Sequence, residues 1–206
     1  MAGALSLGIG YVIRRTTTAA LGGADADFAR TLLAERMKWE WVTFTWLLGG
    51  VLVVWFTSSL AERLRAVEGE PGRIAEAAFG LGVLWAGVWL FAAFFNSASI
   101  FLAADYGDPA GARIAGVLAR ETPNVLTGSV LFAWLLATSF ITLRRAGFPK
   151  AHAYATAALA LAMLLLALVD WYGAGTLGSV IVALALAWTA ATSAVLTFVA
   201  PSGGAL

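Results

Sequence analysis

The sequence predicts an all-α polytopic transmembrane helix bundle, and three observations lead there. Of 206 residues, 61% are hydrophobic and only 12% are charged, against about 25% charged in soluble domains. That much charge cannot cover a water-facing surface, and mean hydropathy is correspondingly high at +0.85. The apolar runs reach the roughly 20 residues that a helix needs to cross about 30 Å of hydrocarbon. They are too long for the strands of a membrane barrel, so the spans are helical.

The pattern predicts five clear spans and a short N-terminal apolar helix. Residues 1–13 are apolar but too short for a full span, and Arg14-Arg15 follow them. A secretory signal carries its positive charge before the apolar run, so cleavage as a signal is not expected. Two readings stand: a buried or interfacial stub, or the end of a sixth span that starts upstream of Met1. Residues 24–40 read as an amphipathic interfacial helix. Asp25 and Asp27 offer caps, and Phe28, Leu32, Leu33 and Met37 recur at helical spacing. Arg30, Glu35, Arg36, Lys38 and Glu40 form its polar complement. Trp39 and Trp41 are expected at headgroup depth, as in an aromatic belt.

The spans cover residues 41–60, 74–104, 125–143, 151–169 and 176–200. Glu68-Gly69-Glu70-Pro71-Gly72 is a charged turn between the first two. Asp105-Tyr106-Gly107-Asp108-Pro109 ends the second, Gly147-Phe148-Pro149 joins the third and fourth, and Gly173-Ala174-Gly175 joins the last two. Pro201 stops the fifth. Short links make the last three spans expected antiparallel neighbours. Small residues mark close helix contacts: Gly49-Gly50, Ala78 with Gly82, Ala153 with Ala157, Ala158 with Ala162, and Ala183, Ala187 and Ala191. They predict tight packing among the first, second, fourth and fifth spans. Trp85 and Trp89, four apart, are expected to pack within the bundle.

Lysine and arginine set orientation. The 61–73 loop holds Arg63, Arg65 and Arg73, and the 144–150 loop holds Arg144, Arg145 and Lys150. Both are expected on the cytoplasmic side of the cell membrane. Arg14, Arg15, Arg30, Arg36 and Lys38, on the opposite side, argue against this.

Two stretches support a family resemblance. One is Trp55-Phe56-Thr57-Ser58-Ser59-Leu60-Ala61-Glu62-Arg63-Leu64-Arg65 with Glu68-Gly69-Glu70-Pro71-Gly72-Arg73. The other is Arg144-Arg145-Ala146-Gly147-Phe148-Pro149-Lys150. Together they resemble a group of multi-pass membrane proteins of actinobacteria and other high-GC bacteria, over roughly residues 25–170. The resemblance implies a six-helix architecture and no particular activity.

Composition excludes several chemistries. The charge-poor composition excludes nucleic acid as a partner, the net charge of +1 implies no strong electrostatic partner, and the absence of cysteine removes disulfides, thiolate catalysis and iron–sulfur ligation. His152 is the single histidine, so imidazole-rich metal centres are excluded. Lys38 and Lys150 flank helices, which excludes a retinal Schiff base. No cofactor is expected; the expected partners are the lipid bilayer and another membrane protein or a second copy.

The candidate polar residues are few. Asn96, with Ser97 and Ser99, lies deep in the second span, where an unpaired amide is costly. It is expected to face the bundle and bond another helix, first Thr138 or Ser139 of the third span, then Thr189 or Ser193 of the fifth. The same five residues, Asn96, Ser97, Ser99, Thr138 and Ser139, could instead line a solute path. Asp105-x-x-Asp108-x-x-x-Ala112-Arg113 partly resembles the start of the CDP-alcohol phosphotransferase motif, which would imply metal-assisted headgroup chemistry. Pro109 replaces its glycine, however, and the downstream aspartate pair is missing, so a turn is the simpler reading. Asp170 and His152 are weaker candidates at helix ends. Three functions follow: a non-catalytic structural or accessory membrane component, which is favoured, a carrier or channel for a weakly polar solute, and a lipid-headgroup-modifying enzyme.

Overall fold

In the computed structural model, residues 1–16, 24–144, 148–169 and 178–198 are described, and they form helices joined by short turns. Seven helices follow in order: α1 (Ala2–Thr16), α2 (Asp25–Ala34), α3 (Arg36–Glu68), α4 (Arg73–Ala104), α5 (Pro109–Arg144), α6 (Lys150–Val169) and α7 (Gly178–Phe198). The all-helical expectation holds among these residues. Four helices are long and apolar enough to cross a membrane: α3, α4, α5 and the Val180–Thr197 stretch of α7. The apolar segments Ala2–Arg14 and Lys150–Leu166 are shorter, so the expected count of five spans plus a sixth exceeds what length and hydropathy establish.

Helix ends explain much of the architecture. Glu68 closes α3, and its carboxylate accepts from the backbone N–H groups of Ile74 and Ala75, at 3.1 and 2.8 Å. One side chain thus supplies two of the unsatisfied donors at the start of α4. Gly69 and Gly72 adopt positive φ between the two helices, which glycine allows without strain. At the other end of α4, Asp108 caps α5 with its carboxylate on the Gly111 N–H at 3.0 Å. Pro109 occupies the first helical position, where its missing N–H costs nothing. The proline expected to stop the second span instead starts the next helix.

That start makes α5 much longer than the expected 125–143 span. It continues through Pro123. In that turn the Thr122 hydroxyl donates to the Leu118 carbonyl at 2.7 Å. At 36 residues it is about 54 Å long, so it projects well past a hydrocarbon layer.

The helix order differs from the expected one. α4 lies between α3 and α5, and α5 also packs on α2, α6 and α7. The third span, left out of the expected tight set, is therefore the central one. α6 lies along α5, while α7 packs more on α5 and α1 than on α6. Small residues still mark the closest crossings. A Cβ on Gly82 would lie 2.8 Å from Trp134 Cζ2 and overlap Thr57, so α3, α4 and α5 meet there. The α7 residues Ala183, Ala187 and Ala191, by contrast, face outward, and α7 buries Ile181, Val182, Ala185 and Trp188 instead. Ala158 of α6 is exposed as well.

α1 packs antiparallel along α3. Gly3 lies on Leu52, Leu7 on Gly49, and a Cβ on Gly10 would stand 2.7 Å from Trp46 Cδ1. Ser6 donates to the Thr45 carbonyl at 2.8 Å, and the Arg14 guanidinium stacks 4.1 Å above the Trp39 ring. The N-terminal segment is thus a built part of the bundle, about 22 Å long for its 15 residues.

The expected 24–40 amphipathic helix divides at Glu35 into α2 and the first turn of α3. Its apolar face is divided, with Leu33 and Met37 exposed and the rest turned into the bundle. Phe28 and Leu32 are buried with Trp39, Ile100, Ala103 and Ala112, and Arg113 ties α5 to α2 through Asp25 at 2.7 Å. Trp39, expected at headgroup depth, is fully buried because α2 folds over it, whereas Trp41 is 53% exposed. At the bundle centre, Trp46, Trp89, Trp85, Trp134 and Trp188 form a continuous pile. Successive ring centroids are 5.7, 6.5, 5.5 and 5.2 Å apart. Edge-to-face contacts of this kind add to simple burial.

Candidate functional site

Polar side chains gather at the two opposite ends of the bundle. At the first end, Asn96 is fully buried on α4. Its amide nitrogen donates to the Trp39 carbonyl and to Thr43 Oγ1, both at 2.9 Å. The Thr43 hydroxyl in turn donates to the same carbonyl at 3.2 Å, using that oxygen's spare lone pair. Asn96 Oδ1 is buried without a partner. The inward orientation expected from cost in hydrocarbon is what the structure shows, but the partner is α3, not the helices carrying Thr138 or Thr189. The reason is the helix order: α4 lies between α3 and α5, and this face of it turns to α3.

Trp39 is the hub that sequence reasoning missed. Its carbonyl holds Asn96, and its ring touches Phe28 edge-on at 5.9 Å and Arg14 from above. Four helices, α1 to α4, meet on this one residue. The charges around it pointed to an interface, and nothing local announced that α2 would cover it.

The two serines beside Asn96 have different fates. Ser99 is buried and donates to the Ala112 carbonyl of α5 at 2.6 Å. Ser97 is exposed on the outer side of α3 and α4. The aspartates also part. Asp108 caps the start of α5, where the sequence suggested a turn residue ending the second span. Asp105 is exposed at the end of α4; its backbone N–H bonds the Phe101 carbonyl at 2.9 Å, while its carboxylate makes no hydrogen bond or ion pair with the described residues. No group of three histidine, aspartate or glutamate side chains placed to hold a metal ion occurs among the described residues.

The second cluster joins α6 and α7. His152 Nε2 and Thr192 Oγ1 are 3.0 Å apart, and the Phe148 ring stacks on the imidazole. Trp188 Nε1 donates to Thr156 Oγ1 at 3.1 Å, and Thr156 donates to the His152 carbonyl at 2.9 Å. Thr138 and Ser139 lie buried on α5, where they bond the Trp134 and Leu136 carbonyls of their own helix. They do not meet Asn96. Ser99 contacts Ala112, and Thr138 is 26 residues further along α5, about 39 Å away. A single polar lining through Asn96 and Thr138 is therefore not formed. Asp170 lies outside the described residues.

No family model, curated protein or solved structure matches the chain.

Proposed function

We propose that the chain is a multi-pass protein of the cell membrane with a structural or accessory role, not a catalytic one. One observation carries this reading. The polar side chains expected to do chemistry or line a path are mostly spent on holding helices together or capping them: Asn96 on α3, Ser99 on α5, His152 on α7, and Asp108 on its own helix. The outward Ala183, Ala187 and Ala191 row of α7 supports it further, since small residues let helix backbones approach in lipid. The reading counts α6 as a fifth span and α1 as a sixth element entering from one side. It also agrees with the resemblance to six-helix membrane proteins of high-GC bacteria.

The test is photo-crosslinking in native membranes from a benzophenone side chain at Ala187. An adduct with a second copy or another membrane protein is expected, and none from the exposed Leu165 of α6. Loss of any adduct at Ala187 and Ala183 alike would overturn the accessory role.

Orientation is part of the proposal, with the 61–73 and 144–150 loops in the cytoplasm. Glu70→Cys should then resist an impermeant thiol reagent on intact cells, and Gly107→Cys should react. Labelling at position 70 with protection at position 107 would reverse the topology.

A further inference from the structure

We propose that the depression between the start of α3 and the end of α4 binds one phospholipid whose headgroup carries a primary ammonium, of the phosphatidylethanolamine class. The inference rests on the membrane-spanning reading above and goes beyond it. The depression holds about 330 Å³. Its outer end is charged, with Arg36, Glu40 and Asp105. Ile100 and Phe101 lie below the charges, and further in, the lining is Phe44 and Leu47 with Ser97 beside them. From Arg36 to Leu47 along α3 is about 16 Å, which matches the passage from headgroup to acyl chain.

The charges select the headgroup. Arg36 Nε is engaged by Glu40 Oε1 at 2.7 Å, which leaves the terminal guanidinium nitrogens to meet a phosphate. The Asp105 carboxylate is exposed and makes no bond among the described residues, in contrast to that of the capping Asp108 three residues on. One cation and two carboxylates leave the site net negative, which disfavours an anionic lipid. A zwitterion fits: the phosphate meets Arg36, and the ammonium donates to Glu40 and Asp105. Choline carries a similar charge but no N–H donor. Ser97 adds an independent observation. The Ser97 hydroxyl has no protein partner among the described residues and opens onto the depression, whereas Ser99, two residues on, bonds the Ala112 carbonyl. A hydroxyl at this depth needs a partner, and the glycerol ester of a lipid supplies one.

Native mass spectrometry of the detergent-purified protein, given equal amounts of phosphatidylethanolamine, phosphatidylcholine and phosphatidylglycerol, tests this. Retention of phosphatidylethanolamine should exceed the other two by about tenfold, the worth of one charge-assisted hydrogen bond. Asp105→Asn changes an exposed side chain with no protein bond, so the fold stays intact, and the preference should fall because Glu40 alone is left to meet the ammonium. Arg36→Gln should lower retention of all three lipids. Equal retention by the unaltered chain, a preference for phosphatidylglycerol, or a preference undiminished by Asp105→Asn would overturn the site. Carbonate washing of membranes, run in parallel, separates the two levels. Release into the wash overturns the membrane reading and the lipid site with it. Retention without a lipid preference overturns the lipid site alone.

Discussion

Replacing Trp134 with alanine should destabilise the bundle more than any other single truncation, by about 3 kcal/mol. Trp134 is fully buried on the central helix α5. Its ring contacts Trp85 of α4, Trp188 of α7 and Phe56 of α3, and the bare backbone at Gly82 exists to admit it. In lipid the transfer term is small, because hydrocarbon is as apolar as the bundle interior. What is lost is close packing, since the void left by an indole has no atoms to fill it. The effect should appear as a lower midpoint in detergent unfolding. Trp55→Ala, on a ring that is 71% exposed, should leave the midpoint unchanged. Equal midpoints for the two variants would show that the tryptophan pile is not the core.

Asn96→Leu should cost about 1–2 kcal/mol, because two hydrogen bonds within the bundle are lost, each worth about 0.6–1 kcal/mol. The network makes a sharper statement than the magnitude. Thr43→Val should cost about half as much. The double variant should be little worse than Asn96→Leu alone, since residues in one network are not additive. Additive losses would mean that Asn96 and Thr43 act separately. A coupling of Asn96 with Thr138 would restore the pairing read from sequence and contradict the α3 partner.

These two sites show what a sequence does and does not carry. The helical class and the bounds of α4 were legible because charge is so unevenly distributed that the apolar runs stand out. Asn96 could be aimed inward because the cost of a bare amide in hydrocarbon applies whatever the neighbours are. Its partner could not be read. Periodicity gives the face of one helix but not which helix lies opposite, and α4 turned out to lie between α3 and α5. Trp39 failed for the same reason, since its burial depends on α2 folding back over it. The Ala183, Ala187 and Ala191 row had the right spacing, yet α7 turns its larger residues inward. Asp105 and Asp108 looked equivalent in a turn, and the structure separates them by one backbone N–H, which only Asp108 reaches. Pro109 was read as a stop because it follows a span. Asp108 before it supplies the cap that makes it a start.

The tryptophan pile has a consequence for how the folded molecule absorbs and emits light. Indoles whose centroids are 5.2–6.5 Å apart are close enough for their excited states to couple. Excitation absorbed by any one of the five therefore migrates among them, and emission loses its polarisation on the way. The part of the near-ultraviolet signal that comes from this coupling exists only while α3, α4, α5 and α7 remain in contact. The chain thus carries an intrinsic optical readout of its own assembly, with no label added.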